Sequence, residues 1–203
     1  WTVRSSFDRS SPDHPMSSER PSVDLSRFDN SDFPKGAGTI KMTLWYFTNA
    51  LFFLNPCFPF RNVKPGLLRL FGARVGKGVV IHPGVNIKYP WKLIVGDHCW
   101  IGQRAWLDNI DQLTLGNNVV ISQGGMIIQG SHDYKKVDYP TMSGPVVLED
   151  GSWVGAGAMV MLGVRFGSHA VLSAGSVATK DLEPYMIYQG NPAMPVRERI
   201  IHG

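Results

Sequence analysis

The sequence predicts an all-β fold: a parallel solenoid of three short strands per turn, with a helical segment before it and a short extension behind. Large aliphatic residues recur six positions apart in triplets from Val75 to Ile127, and the period resumes from Leu148 to Ala178. Glycine is abundant at 22 of 203 residues and charged residues are only 18%, a balance that suits tightly turned strands better than a helical bundle. The third observation is the gap itself. After Ile127 the next slot of the period holds Asp133, close to His132.

At 43% hydrophobic, the chain can bury one sizeable core plus appendages. A net charge of +4 fits an anionic small ligand or a lipid surface as readily as nucleic acid. The chain carries no RNP, zinc-finger or helix-turn-helix signature, which sets nucleic acid aside. Cys57 and Cys99 form no C-x-x-C, so a reducing compartment, the cytoplasm, is expected. Residues 1–38 begin at Trp1, are rich in Ser, Pro, Asp and Arg, and show no apolar core after a basic start. They read as a disordered tail rather than a signal peptide.

Residues 39–72 form the helical segment. Nineteen uncharged residues lie between Lys41 and Arg61, interrupted by Asn49, Asn55, Pro56 and Pro59. That is close to the ~20 needed to span a bilayer, but the prolines end a helix. Leu44, Phe47, Leu51 and Leu54 recur at helical spacing, predicting one apolar face with two available roles. It caps the open end of the solenoid, or it lies in a membrane interface, the inner face of the plasma membrane. Arg61, Lys64, Arg69, Arg74 and Lys77 would favour anionic lipid there.

The solenoid occupies residues 73–203. Its aliphatic triplets are Val75, Ile81 and Ile87; Val95, Ile101 and Leu107; then Leu115, Ile121 and Ile127. The spacing is six within a triplet and eight between triplets, so equivalent residues are twenty apart. Three strands then make one triangular turn, and stacked turns build three inward columns that no single repeat could bury alone. A small residue four places after each aliphatic one, Cys99 among them, fills the remaining inward slot.

The two-residue insertions all follow the third strand of a turn, so they share one corner. The large break after Ile127 leaves from that corner as an arm, residues 130–147. Asp108, Asn109 and Asp111 lie one turn below it and form a polar cluster near His132. They, and Tyr134 on the arm, are candidates for holding hydroxyls or a ring face of an acceptor. A C-terminal segment begins at about residue 183.

The period, "GSHDY" at 130–134, "GSWVGAGAMV" at 151–160, "LSAGSVATKDL" at 172–182 and "QGNPAMPVR" at 189–197 together resemble the hexapeptide-repeat acyltransferases. Among these the chain is most similar to the acetyltransferases of colanic acid and other exopolysaccharide biosynthesis and to the maltose and galactoside O-acetyltransferases. The resemblance covers residues 75–200. It implies a left-handed parallel β-helix, although parallel crossovers are otherwise nearly always right-handed. It also implies a homotrimer with active sites between subunits, acetyl-CoA as co-substrate without a metal, and a sugar or glycan as acceptor.

By the same resemblance His132 is the general base. A neutral imidazole suits the removal of a hydroxyl proton as oxygen attacks a thioester. The backbone N–H of Ala156 would stabilise the oxyanion, where some relatives add a serine hydroxyl. Trp153 would flank the site. Ala174, Gly175, Thr179 and Lys180 would line the coenzyme A groove, with Lys180 and Arg197 on its phosphates; a second basic residue of relatives is Met194 here. His14, His82, His98, His169 and His202 lack the arm context.

Rival readings come from the same fold. A γ-carbonic-anhydrase-like metalloenzyme needs three imidazoles, but five residues past His132 stands Val137. A non-catalytic scaffold would not need the G-S-H-D and A-T-K-D segments. A serine acetyltransferase usually carries a large N-terminal helical domain, and an amino-sugar N-acyltransferase would require an amine acceptor.

Overall fold

The computed structural model describes residues 21–58 and 60–203; residues 1–20, the first half of the expected tail, and Pro59 lie outside the described residues. Three parallel sheets form the faces of a triangular prism. The first face stacks Arg74–Val75, Leu93–Val95, Leu113–Leu115, Val146–Leu148 and Arg165–Phe166. The second stacks Val80–Ile81, Trp100–Ile101, Val120–Ile121, Trp153–Val154 and Val171–Leu172, and continues into Met186–Gly190 with Ala193–Glu198 antiparallel beside it. The third stacks Asn86–Ile87, Trp106–Asp108, Met126–Ile128, Met159–Met161 and Val177–Ala178.

The register places the periodic residues over one another. Val75 pairs with Val95, Val95 with Leu115, Leu115 with Leu148 and Leu148 with Phe166. Ile81, Ile101, Ile121, Val154 and Leu172 form the second column, and Ile87, Leu107, Ile127, Val160 and Ala178 the third. Ile101, Ile121 and Ile127 are fully buried. Each such side chain contributes about 1.5–3 kcal/mol relative to exposure.

The corners explain the small slot. The residue just before it often has positive φ: Gly78, Gly84, Gly151 and Gly157, but also His98 (58°), Arg104 (58°), Asn118 (56°) and His169 (61°). A left-handed residue turns the strand through the corner, and the next side chain points inward where the turns are closest. His98 and His169 are therefore turn residues. Cys99 is buried in such a slot with its Sγ 2.9 Å from the Gly116 carbonyl oxygen, and burial pushes its thiol up.

Helix α1 (Thr39–Thr48) runs directly into a π-helical stretch, Asn49–Leu54, and a second helix, α2 (Lys64–Leu70), follows. Together they close the open end of the first turn. The buried face is made by Trp45, Asn49 and Phe53, whereas Leu44, Phe47, Leu51 and Leu54, the face read from the sequence, point outward. The reason is polar. The exposed end of a solenoid presents unpaired backbone groups. Trp45 Nε1 donates to the Ile87 carbonyl at 2.9 Å, Asn49 Nδ2 to Asn86 Oδ1 at 2.7 Å, and Lys64 Nζ to the His82 carbonyl at 3.0 Å. Phe53 packs beside them with its carbonyl accepting the Gly84 N–H at 2.8 Å, and the outward Leu44, Phe47, Leu51 and Leu54 carry no side-chain donor.

Residues 21–38 belong to the expected tail, yet they make specific contacts. The Asp24 N–H donates to Val137 on the arm at 2.9 Å, Trp91 Nε1 donates to the Lys35 carbonyl at 2.7 Å, and Lys92 Nζ donates to the Pro34 carbonyl at 2.6 Å.

Candidate active site

The arm is a β-hairpin. Strand Gly130–His132 pairs antiparallel with Thr141–Ser143, setting His132 opposite Thr141, and the chain rejoins the first face at Val146. Asp111 anchors its foot: Oδ2 accepts from Ser143 Oγ at 2.9 Å and Oδ1 from the Gln112 N–H at 2.7 Å. Asp111 thus ties the foot of the arm to its corner.

His132 is exposed, with Nδ1 2.8 Å from the carbonyl oxygen of Tyr139. A carbonyl only accepts, so Nδ1 carries a proton, and in the neutral ring Nε2 then holds the lone pair. The Tyr139 backbone has φ 47°, a left-handed bend that aims this carbonyl back at the ring. The edge of Phe28 meets the imidazole at 5.6 Å between centroids, with planes at 68°. A cavity of about 400 Å³ opens beside them, lined also by Asn30, Lys88, Tyr89 and Asp108.

Asp108 ends its strand on the third face facing this cavity, where Lys88 Nζ meets Oδ1 at 2.9 Å. Its neighbour Asn109 is fully buried and fully bonded: Oδ1 accepts the N–H groups of Lys88 and Tyr89, each at 3.1 Å, and Nδ2 donates to the Tyr89 carbonyl at 2.7 Å. Of the polar cluster read from the sequence, only Asp108 presents itself to the cavity. Tyr134 is exposed on the arm and outside the cavity lining.

The remaining predicted residues lie elsewhere on the prism. The arm leaves where the chain passes from the third face to the first. Ala156, Ala174 and Gly175 sit where it passes from the second to the third. Between those corners within one chain stands the third face. Gly175 donates to the Ala156 carbonyl at 2.9 Å, while the N–H groups of Ala156 and Ala174 have no backbone acceptor among the described residues. Trp153 is half-exposed on the second face, its Nε1 2.8 Å from Ser122 Oγ. Thr179 and Lys180 are exposed at the arm's corner, two turns further on, and Arg197 is exposed on the terminal hairpin opposite Ile187. Neither basic group is in an ion pair among the described residues. Free N–H groups and unneutralised cations in this stretch fit a phosphate-bearing cofactor.

The sequence reading missed Lys88, Tyr89 and Phe28. Lys88 had a usable signal, since it stands twenty residues before Asp108 and therefore one turn beneath it. Phe28 had none, because residues 21–38 carry no period. Arg199 was also missed: its Nη1 donates to the carbonyls of Gly151 (2.8 Å) and His169 (3.0 Å), tying the terminal segment to the second face. Among the described residues no group of three His, Cys, Asp or Glu could hold a metal ion.

The family model for the hexapeptide repeat of succinyl-transferase matches residues 92–127 and 145–180, leaving out residues 128–144, most of the arm. The chain is 38% identical over 177 residues to WcaF of Escherichia coli (strain K12), a protein named as a colanic acid biosynthesis acetyltransferase, covering 87% of this chain and 97% of WcaF. Its fold matches that of the hexapeptide-repeat acetyltransferase VCA0836 from Vibrio cholerae complexed with acetyl coenzyme A, with TM-score 0.64, 24% identity, and coverage of 69% and 78% of the two chains. It also matches a maltose O-acetyltransferase from Clostridium difficile 630, with TM-score 0.68, 20% identity, and coverage of 80% and 88%. On this similarity over nearly its whole length, and on the stacked six-residue period, the chain belongs to the hexapeptide-repeat acetyltransferases.

Proposed function

We propose that this protein is an acetyl-CoA-dependent O-acetyltransferase acting on a hydroxyl of a sugar or glycan intermediate in exopolysaccharide biosynthesis. The observation that carries the reading is the His132–Tyr139 bond, which leaves Nε2 as a free base at the mouth of a polar cavity. In the reaction, Nε2 takes the proton of the acceptor hydroxyl as its oxygen attacks the thioester carbonyl. The oxyanion that forms is met by an N–H donor, the role proposed for Ala156. Collapse expels the coenzyme A thiolate, which takes the proton back from the imidazolium.

The separation of corners supports a site completed between copies. His132 and Ala156 flank opposite edges of one face, so the arm of one copy can meet the Ala156 corner of the next, as in a homotrimer. Lys180 and Arg197 are proposed on the phosphates, and Asp108 with Lys88 on the acceptor hydroxyls. The WcaF likeness supports the polysaccharide context, and the maltose O-acetyltransferase fold supports a sugar hydroxyl.

Thiol release from acetyl-CoA across a panel of free, nucleotide-linked and lipid-linked sugars, including amino sugars, tests this. Acceptor-dependent release that falls by about 10²–10⁴ in His132→Ala is expected. Equal release from both proteins would remove His132 as base, and turnover of amines only would move the reading to N-acylation.

A further inference from the structure

The outward face of the helical cap is exposed among the described residues. Ile40, Leu44, Phe47, Leu51 and Leu54 follow one helical stripe and expose 79, 56, 57, 58 and 41% of their surface. Opposite them, Trp45, Asn49 and Phe53 close the solenoid, so the cap function uses the other side of the same helix. Beside the stripe an open groove of about 950 Å³ runs between α1 and α2, lined by Ile40, Leu44, Leu70 and Phe71 with Lys41 at its edge. Leu70 is 78% exposed. A contiguous apolar surface of this kind on a folded chain marks an interaction site.

Charge says what kind. Between Asp32 and Asp97 the chain holds nine Lys and Arg and no Asp or Glu. The rest of the chain carries eleven basic and sixteen acidic residues, so this one segment supplies the entire positive excess. Arg61, Arg69, Arg74 and Lys77 are exposed. Of the nine, only Lys88 is in an ion pair among the described residues. No helix of the described residues is long and apolar enough to cross a membrane. An apolar stripe on a short helix, with Lys41 on its groove and further cations in the same stretch of chain that no carboxylate among the described residues neutralises, matches a helix lying in the interface of an anionic bilayer.

We propose that the Ile40–Leu54 stripe, with the groove to Leu70 and the exposed cations Arg61, Arg74 and Lys77, docks this protein on an anionic lipid surface. The apolar side chains enter the acyl boundary and the arginines meet headgroup phosphates. This inference stands apart from the proposed acetyl transfer, since binding is read without turnover.

The test is co-sedimentation of the full chain with phosphatidylglycerol–phosphatidylcholine vesicles and with pure phosphatidylcholine vesicles, at low and high salt. Two variants run in parallel, L44S/F47S/L51S and R61E/R74E. All five positions are exposed, and an unchanged thermal transition verifies folding. Binding to anionic vesicles that weakens with salt, and at least about tenfold weaker binding by each variant, is expected. Equal binding to neutral vesicles, or no binding by the native chain, would overturn the proposal. So would a smaller assembly for L44S/F47S/L51S in light scattering, since the stripe would then be a contact between copies.

Discussion

The imidazole of His132 is oriented by the main chain, not by a carboxylate: its Nδ1–H points at the Tyr139 carbonyl 2.8 Å away. The tautomer therefore depends on the bend at Tyr139, whose φ of 47° is in the left-handed region. Bulky β-branched residues tolerate that region poorly, at a cost of about 1–3 kcal/mol. Tyr139→Val is expected to lower acetyl transfer tenfold or more, with an unchanged thermal transition, because the hairpin lies outside the stacked core. Tyr139→Gly should keep most of the activity. Equal loss in both would assign the effect to the tyrosine ring.

Asn109→Ala should act on stability first. It removes three hydrogen bonds in a fully buried position and leaves the Tyr89 N–H without its acceptor, while the Lys88 N–H keeps the Leu107 carbonyl at 3.1 Å. A loss of about 1–3 kcal/mol in denaturant unfolding is expected. An unchanged midpoint would return Asn109 to the candidates for acceptor binding.

Lys88→Met and Asp108→Asn are expected to do the reverse. Their ion pair is partly exposed, so breaking it should cost less than about 1 kcal/mol of stability. Both variants should raise the acceptor KM while leaving the KM for acetyl-CoA unchanged. A matching rise in both constants would show that the pair supports the site as a whole.

Burial pulls the Lys64 ammonium down to about 8 from 10.5. Between those values the unfolded chain binds the proton and the folded chain does not, so stability rises with pH across that window. Below about pH 8 both states are charged and the desolvation cost is constant. Thermal melts from pH 7 to 10.5 should show this rise in the native chain and a flatter profile in Lys64→Met. Parallel profiles would place the ammonium in water.

What the sequence determined by itself is the solenoid. A six-residue period with two-residue insertions leaves one way to stack Val75 on Val95 and Ile81 on Ile101, because burial repeats turn by turn and each contact is local to its neighbour. The corner from which the arm departs followed from the same count. Only tertiary structure decided which face of α1 is buried. Leu44 and Trp45 are both apolar enough to face a core, and the choice fell to the donors that could satisfy the backbone of the first turn. It also decided that Asn109 bonds the backbone of Lys88 and Tyr89, Asp111 bonds the foot of the arm, and Asp108 lines the cavity, since three polar residues within four positions look alike until their partners are fixed. Phe28 reaches His132 across a separation that no repeat spans. The sequence holds periodic burial; contacts between an aperiodic segment and an arm arise only once the chain has closed.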